Sequence, residues 1–234
     1  MSRIILKAIL GLLMRVLFRP KVEGAENIPE SGPVIVAGNH LTFLDSLFLS
    51  LVVKRQVFFI GKDEYVTTPG LKGRLMAAFF TTAGMIPVDR DGGRGGVAAL
   101  MTGRRVLDEG KVFGIYPEGT RSPDGRLYRG RTGVARLALM TSAPVVPCAM
   151  IGTDRVQPGG SGRPRISQVT VRFGKPLEFS RYEGMDRDRY VLRAVTDEVM
   201  SEVMRLSGQE YVDVYATKAK SAAAAATAEH AKAA

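Results

Sequence analysis

Tryptophan is absent from the 234 residues, and cysteine occurs once, as Cys148. A lone thiol excludes an internal disulfide framework and a cysteine-based zinc site. Histidine is almost as scarce: there are two, His40 and His230, and His230 sits in an alanine-rich tail. Any histidine chemistry in the folded part therefore falls to His40. Acidic residues are in deficit, 23 against 33 Lys and Arg, for a formal charge of +10. That sign suits an anionic partner, such as a membrane face, a phosphorylated substrate or nucleic acid. No nucleic-acid motif is present and few aromatics interleave with the basic residues, so nucleic acid is not expected. Long apolar runs are missing as well. Ile4 to Phe18 is the best, and Lys7 and Arg15 interrupt it. As a helix it reaches about 22 Å at ~1.5 Å per residue, short of a ~30 Å hydrocarbon core.

What is present has the composition of an ordinary folded chain, 45% hydrophobic and 24% charged, enough for one sizeable core. Residues 1–20 read as an amphipathic helix lying on a membrane surface. Arg3, Lys7, Gly11, Arg15 and Arg19 recur every four residues as a drifting stripe opposite Ile5, Ile9, Leu12, Leu13, Val16 and Leu17. Such a helix is drawn to anionic lipid; a helix docked on the core with snorkelling cations is the other reading.

Residues 21–212 alternate short apolar strands with helical stretches, which predicts a single α/β domain with a mostly parallel central sheet flanked by helices. Strands are expected at Val34–Gly38, Val57–Gly61, Met85–Val88, Lys111–Tyr116, Val145–Ile151 and Gln168–Phe173. Helices are expected at Leu44–Val53, Val97–Glu109, Gly133–Thr141 and Arg189–Leu206. Two glycine-rich loops fall at 91–96 and 159–164. Residues 213–234, rich in Ala and Lys, read as a disordered or fraying extension outside the fold.

Four places carry chemistry. Asn39-His-Leu-Thr-Phe-Leu-Asp45 follows directly on a strand. Five residues turn a helix well past one face, so His40 and Asp45 meet only if His40 lies on the strand exit and Asp45 in the first turn of the next helix. His supplies a base near neutrality, and a carboxylate can fix its tautomer. Thr42-x-x-Asp45 also reads as a capping box. Tyr116-Pro-Glu-Gly-Thr-Arg-Ser122 leaves another strand and continues through Arg126, Arg129, Arg131 and Arg136. Clustered guanidinium groups suit a phosphate; a polar loop around a Ser-Pro-Asp-Gly turn is the plainer alternative. Gly84-Met-Ile-Pro-Val-Asp-Arg90 ends in a charged pair, and Val145-Val-Pro-Cys148 holds a proline that implies an edge, a bulge or a special path.

Taken in order, NHLTFLD, GMIPVDR, YPEGTRS and VVPC resemble the four sequence blocks of the glycerolipid acyltransferase family, and the lysophosphatidate (1-acylglycerol-3-phosphate) acyltransferases above all. The resemblance runs from about residue 25 to 175; Tyr116 stands where that family often has Phe. It implies transfer of an acyl group from acyl-CoA or an acyl carrier protein to the hydroxyl of lysophosphatidate, with no bound cofactor and no metal. It implies that His40 takes the hydroxyl proton and that Asp45 holds the imidazole. Glu118, Gly119, Thr120 and Arg121 would hold the acceptor's phosphate region, with Arg90 adjoining and Arg131 a further candidate. It places the protein on the cytoplasmic face of the cell membrane, peripheral or monotopic. Another acceptor, such as glycerol 3-phosphate, a different lysophospholipid or an amino-lipid, fits the same blocks, and a catalytically silent membrane scaffold is the alternative from another class.

Overall fold

The computed structural model describes residues 3–88, 95–158 and 165–233. Helix α1 (Arg3–Phe18) leads into strand β1 (Lys21–Glu23), and β2 (Val34–Gly38) runs toward helix α2 (Asp45–Val52). Next come β3 (Val57–Lys62), α3 (Glu64–Thr67), α4 (Gly70–Thr82), β4 (Met85–Val88), α5 (Gly95–Asp108) and β5 (Val112–Ile115). A short β6 (Leu127–Tyr128) precedes α6 (Gly133–Thr141), β7 (Val145–Ile151) and α7 (Thr153–Val156). The chain closes with β8 (Thr170–Phe173), α8 (Arg189–Ser207), β9 (Tyr211–Val212) and α9 (Ala216–Ala233). The expected single α/β domain is what forms. Arg90 and the glycine-rich stretch 159–164 lie outside the described residues, as does most of 91–96. Gly95 and Gly96 open α5 rather than extending the loop expected there.

Seven strands make one sheet in the order β1-β8-β7-β2-β5-β3-β4. Every neighbouring pair is parallel except β7 and β8. β2 sits in the middle, and all five of its residues are buried, as a parallel strand covered on both faces requires. Its alternation sorts the core into two layers. Val34 and Val36 pack with Phe18, Leu47, Phe48 and Phe80 from α1, α2 and α4. Ile35 and Ala37 pack with Leu107, Leu137, Val195 and Val199 from α5, α6 and α8. The parallel crossovers leave the carboxyl ends of β2 and β5 side by side, where open α/β sheets place their sites.

Pro147 lies inside the sheet and not on its edge. The β7 ladder passes from Cys148 opposite Phe173 to Val145 opposite Leu177, three steps on one strand against four on the other. The neighbour bulges there, so the missing proline N–H falls where no ladder bond is needed.

Helix α1 docks by one side. Phe18 is buried edge-on against Phe48 at 5.5 Å between ring centres, Met14 packs on the same cluster, and a Cβ on Gly11 would meet Leu51 at 3.2 Å. Leu12, Leu13 and Val16 stay 65%, 51% and 60% exposed, with Arg15 and Arg19 exposed beside them. The side chains of Arg3 and Lys7 lie outside the description. No helix among the described residues is long and apolar enough to cross a membrane.

The alanine-rich C-terminal segment is helix α9. Ala216 in its first turn is fully buried, and β9 pairs in parallel with β6 in a small second sheet. The reason lies in the residues just ahead of the Ala/Lys run, where the half-buried Tyr211 packs on Leu127, Met200 and Val203.

Candidate active site

β2 ends at Gly38, and Asn39 continues its pairing with a side chain. The buried Asn39 amide donates to Met150 O at 3.0 Å and accepts from Met150 N–H at 2.7 Å. That bond pair ties the strand exit to β7 and turns His40 toward the end of β5.

His40 and Asp45 do meet. His40 Nδ1 lies 2.9 Å from Asp45 Oδ2; Asp45 is wholly buried and the imidazole is 18% exposed. The same Oδ2 accepts the backbone N–H groups of Leu41 at 2.7 Å and Thr42 at 2.9 Å. The capping and dyad readings thus hold at once, since one carboxylate stops the turn and grips the ring. Because the carboxylate acts as acceptor, Nδ1 carries the proton and Nε2 is left with a free lone pair.

The residues from β5 build the other wall. Tyr116 stacks on His40, ring centres 4.0 Å apart and planes 11° from parallel. Its hydroxyl is 2.9 Å from Ser46 Oγ, and burial, with the Asp45 charge adding, holds the phenol well above its ordinary pKa. It remains a neutral platform. Tyr116→Phe keeps the ring and loses one hydrogen bond, so it should cost about 1 kcal/mol in stability and leave turnover within about threefold. Tyr116→Ala removes the platform and should cost more than about tenfold in rate; chemical denaturation and steady-state kinetics on the two variants check this.

Glu118 takes a place different from the one its motif suggests. Its carboxylate turns inward, accepting His40 N–H on Oε1 and Tyr128 N–H on Oε2, each at 3.0 Å. Burial pushes its pKa up to about 7, against the pull of those two donors. With both oxygens taken up by backbone donors, the carboxyl braces the loop and does not face the cavity. Ser122 N–H donates to His40 O at 2.7 Å. The backbone of His40 is therefore clamped on both sides by the segment that follows β5.

Gly119 adopts φ 74°, and a Cβ there would come within 3.0 Å of Arg131, so only glycine lets the turn lie against that side chain. Thr120, Arg121 and Arg131 line a cavity of about 490 Å³ together with His40, Tyr116 and Gly119. The rest of its wall is largely apolar, with Phe43, Leu47, Phe59, Phe80, Met85 and Leu100 among the lining side chains. Arg126 is engaged by Asp124 at 2.7 Å and Arg129 by Asp213 at 3.3 Å, so these two arginines serve the loop. The Ser-Pro-Asp-Gly turn is present too, with Ser122 Oγ bonded to Arg126 O at 2.7 Å. Among the described residues no group of three or more His, Cys, Asp or Glu is placed to hold a metal ion.

Sequence reasoning passed over Asn39, the stacking of Tyr116 and the C-terminal contacts. The first two stand inside the motif blocks and were open to notice; the last had no local signal.

An imidazole held by a buried carboxylate thus lines a largely apolar cavity together with Thr120, Arg121 and Arg131. The chain belongs to the acyltransferase family, whose model matches residues 19–151. It is 31% identical over 166 residues to the chloroplastic 1-acyl-sn-glycerol-3-phosphate acyltransferase of Arabidopsis thaliana, covering 70% of this chain and 45% of that protein. The enzyme of the same name from Borreliella burgdorferi is 30% identical over 133 residues, 57% of this chain and 51% of that one. The crystal structure of the 1-acyl-sn-glycerophosphate (LPA) acyltransferase PlsC from Thermotoga maritima superposes with a TM-score of 0.62 at 27% identity, over 84% of this chain and 76% of that one. The chain spans about half the length of the curated relatives it matches.

Proposed function

We propose that the protein transfers a fatty acyl group from a thioester to the free hydroxyl of 1-acylglycerol 3-phosphate, giving phosphatidate. The observation that carries this is the His40–Asp45 pair opening onto a largely apolar cavity that Thr120, Arg121 and Arg131 also line. The names of the relatives above point to the same acceptor.

His40 Nε2 takes the hydroxyl proton as the oxygen attacks the thioester carbonyl, and the resulting imidazolium is held by Asp45. Collapse of the tetrahedral intermediate expels the thiolate, which recovers a proton from His40. Base assistance of this kind is worth roughly 10²–10⁴-fold. Thr120, Arg121 and Arg131 bind the acceptor's phosphate, and the apolar wall receives acyl chain. The donor is acyl-CoA or an acyl carrier protein thioester. Thiol release, measured with each donor in the presence and absence of lysophosphatidate, tests the reading. Release that ignores lysophosphatidate but follows another acceptor moves the assignment to that acceptor, and silence with all of them leaves a membrane scaffold.

The protein works from the bilayer surface, on the cytoplasmic face, with Leu12, Leu13 and Val16 dipping into the headgroup region and the basic residues of α1 meeting anionic lipid. Burying one leucine is worth about 1.5–3 kcal/mol. The double substitution L12D/L13D should therefore cut sedimentation with phosphatidylglycerol vesicles by more than about tenfold, at unchanged thermal stability. Equal sedimentation of variant and wild type would remove α1 as the attachment.

A further inference from the structure

We propose that Lys220 of helix α9 is a phosphate-binding residue of the acceptor site, so that the C-terminal segment completes the site from outside the part of the chain the family model matches. This rests on the reading of the site just given. Lys220 lies far beyond residue 151, where that match ends, in a stretch whose composition promises only a solvated tail.

The segment is tied to the site loop along its length. Gln209 donates to Gly125 O at 2.6 Å and accepts from Asn39, the residue before His40, at 2.7 Å. β9 pairs with β6, which follows the loop. Arg131 donates to Thr217 Oγ1 at 3.1 Å, and its guanidinium lies 5.1 Å from the centre of the Tyr215 ring. One turn beyond Thr217, Lys220 Nζ donates to Thr120 Oγ1 at 2.8 Å.

That last bond has a chemical consequence. An ammonium has three donors, and among the described residues Thr120 Oγ1 is the one hydrogen-bond acceptor Lys220 meets. Thr120, by accepting from Lys220, is left to donate its own hydrogen toward the cavity it lines. Lys220 also shares with Arg121 the wall of an adjoining cleft of about 420 Å³. Partial burial and the nearby Arg121 both work against its charge, and only the buried Glu118 works for it. Glu118 has already committed both oxygens to backbone N–H groups. Lys220, Arg121 and Arg131 gathered around one loop suit a phosphate dianion. Asp124 and Asp154 border the same cleft; Asp124 is paired with Arg126.

The test uses the full chain with Lys220→Met and Lys220→Arg, at saturating thioester and varied lysophosphatidate in neutral mixed micelles. Loss of one charge-assisted bond should raise KM for lysophosphatidate about tenfold, with kcat within about threefold. Lys220→Arg should restore most of the loss. With monoacylglycerol, which lacks the phosphate, the methionine variant should match the wild type. Calorimetric binding of a short-chain lysophosphatidate should weaken by the same factor, and thermal unfolding should stay put. Unchanged KM and binding would overturn the assignment. So would equal losses with both acceptors alongside a lowered melting temperature, which would make Lys220 a brace for Glu118. The binding arm separates this inference from the function. A wild type that binds lysophosphatidate through Lys220 without turnover keeps the site and loses the reaction. One that turns over identically in the methionine variant keeps the reaction and loses the site.

Discussion

His40→Ala should lower kcat/KM for acyl transfer by about 10³-fold while leaving the fold intact, a rise of about 4 kcal/mol in the barrier. The separation of activity from stability follows from where the bonds go. Removing the imidazole takes one partner from Asp45 Oδ2, but the N–H groups of Leu41 and Thr42 still bind that oxygen. The carboxylate therefore stays satisfied, and the ring it loses is partly exposed. Asp45→Ala should behave differently. It leaves the buried Thr42 N–H and its neighbour unpaired, so activity and melting temperature should fall together. Thiol release combined with calorimetry on both variants checks the contrast. A fully active His40→Ala would remove the proposed base and with it the mechanism.

Glu118→Ala is expected to be the most destabilising change at the site. Two backbone donors, the part-buried His40 N–H and the buried Tyr128 N–H, lose their acceptor, at up to about 1–3 kcal/mol for each unsatisfied group. Turnover should also fall more than about tenfold, because the clamp on the His40 backbone is released. The pH dependence carries its own signature. Burial raises the Glu118 carboxyl to about 7 from an ordinary 4.5. Between those values the folded protein holds a proton that the unfolded chain has released. Stability then falls as pH rises from 4.5 to 7 and levels off above, the reverse of a salt-bridged carboxylate. The difference in melting temperature between wild type and Glu118→Ala, followed from pH 4 to 9, should therefore be largest at the acid end. A difference that grows with pH would mean the two backbone donors outweigh burial.

Some of this molecule is legible residue by residue. The run Val34–Gly38 can only be a strand buried on both faces, and the repeats of Leu192, Val195, Val199 and Val203 can only be a one-sided helix; both form so. The dyad was conditionally legible: spacing alone kept His40 and Asp45 apart on a helix, and they meet because Asn39 pins the strand exit to β7. Glu118 was misleading. In a loop rich in arginine it looks like a ligand-facing group, and nothing in its neighbours announces that both oxygens turn inward. Tyr116 stands where Phe is common, and its hydroxyl finding Ser46 from another element is a contact no local pattern encodes.

By itself the sequence determined the main strands and helices from β2 to α8 and the residue types available for chemistry, because periodicity and turn chemistry act within a few residues. Tertiary structure alone decided which of those residues face one another. It placed the ends of β2 and β5 together, inverted Glu118, and brought Lys220 to Thr120 across a hundred positions. Such contacts depend on sheet order and on anchors like the half-buried Tyr211 and the buried Ala216, whose effect exists only once the chain has closed on itself.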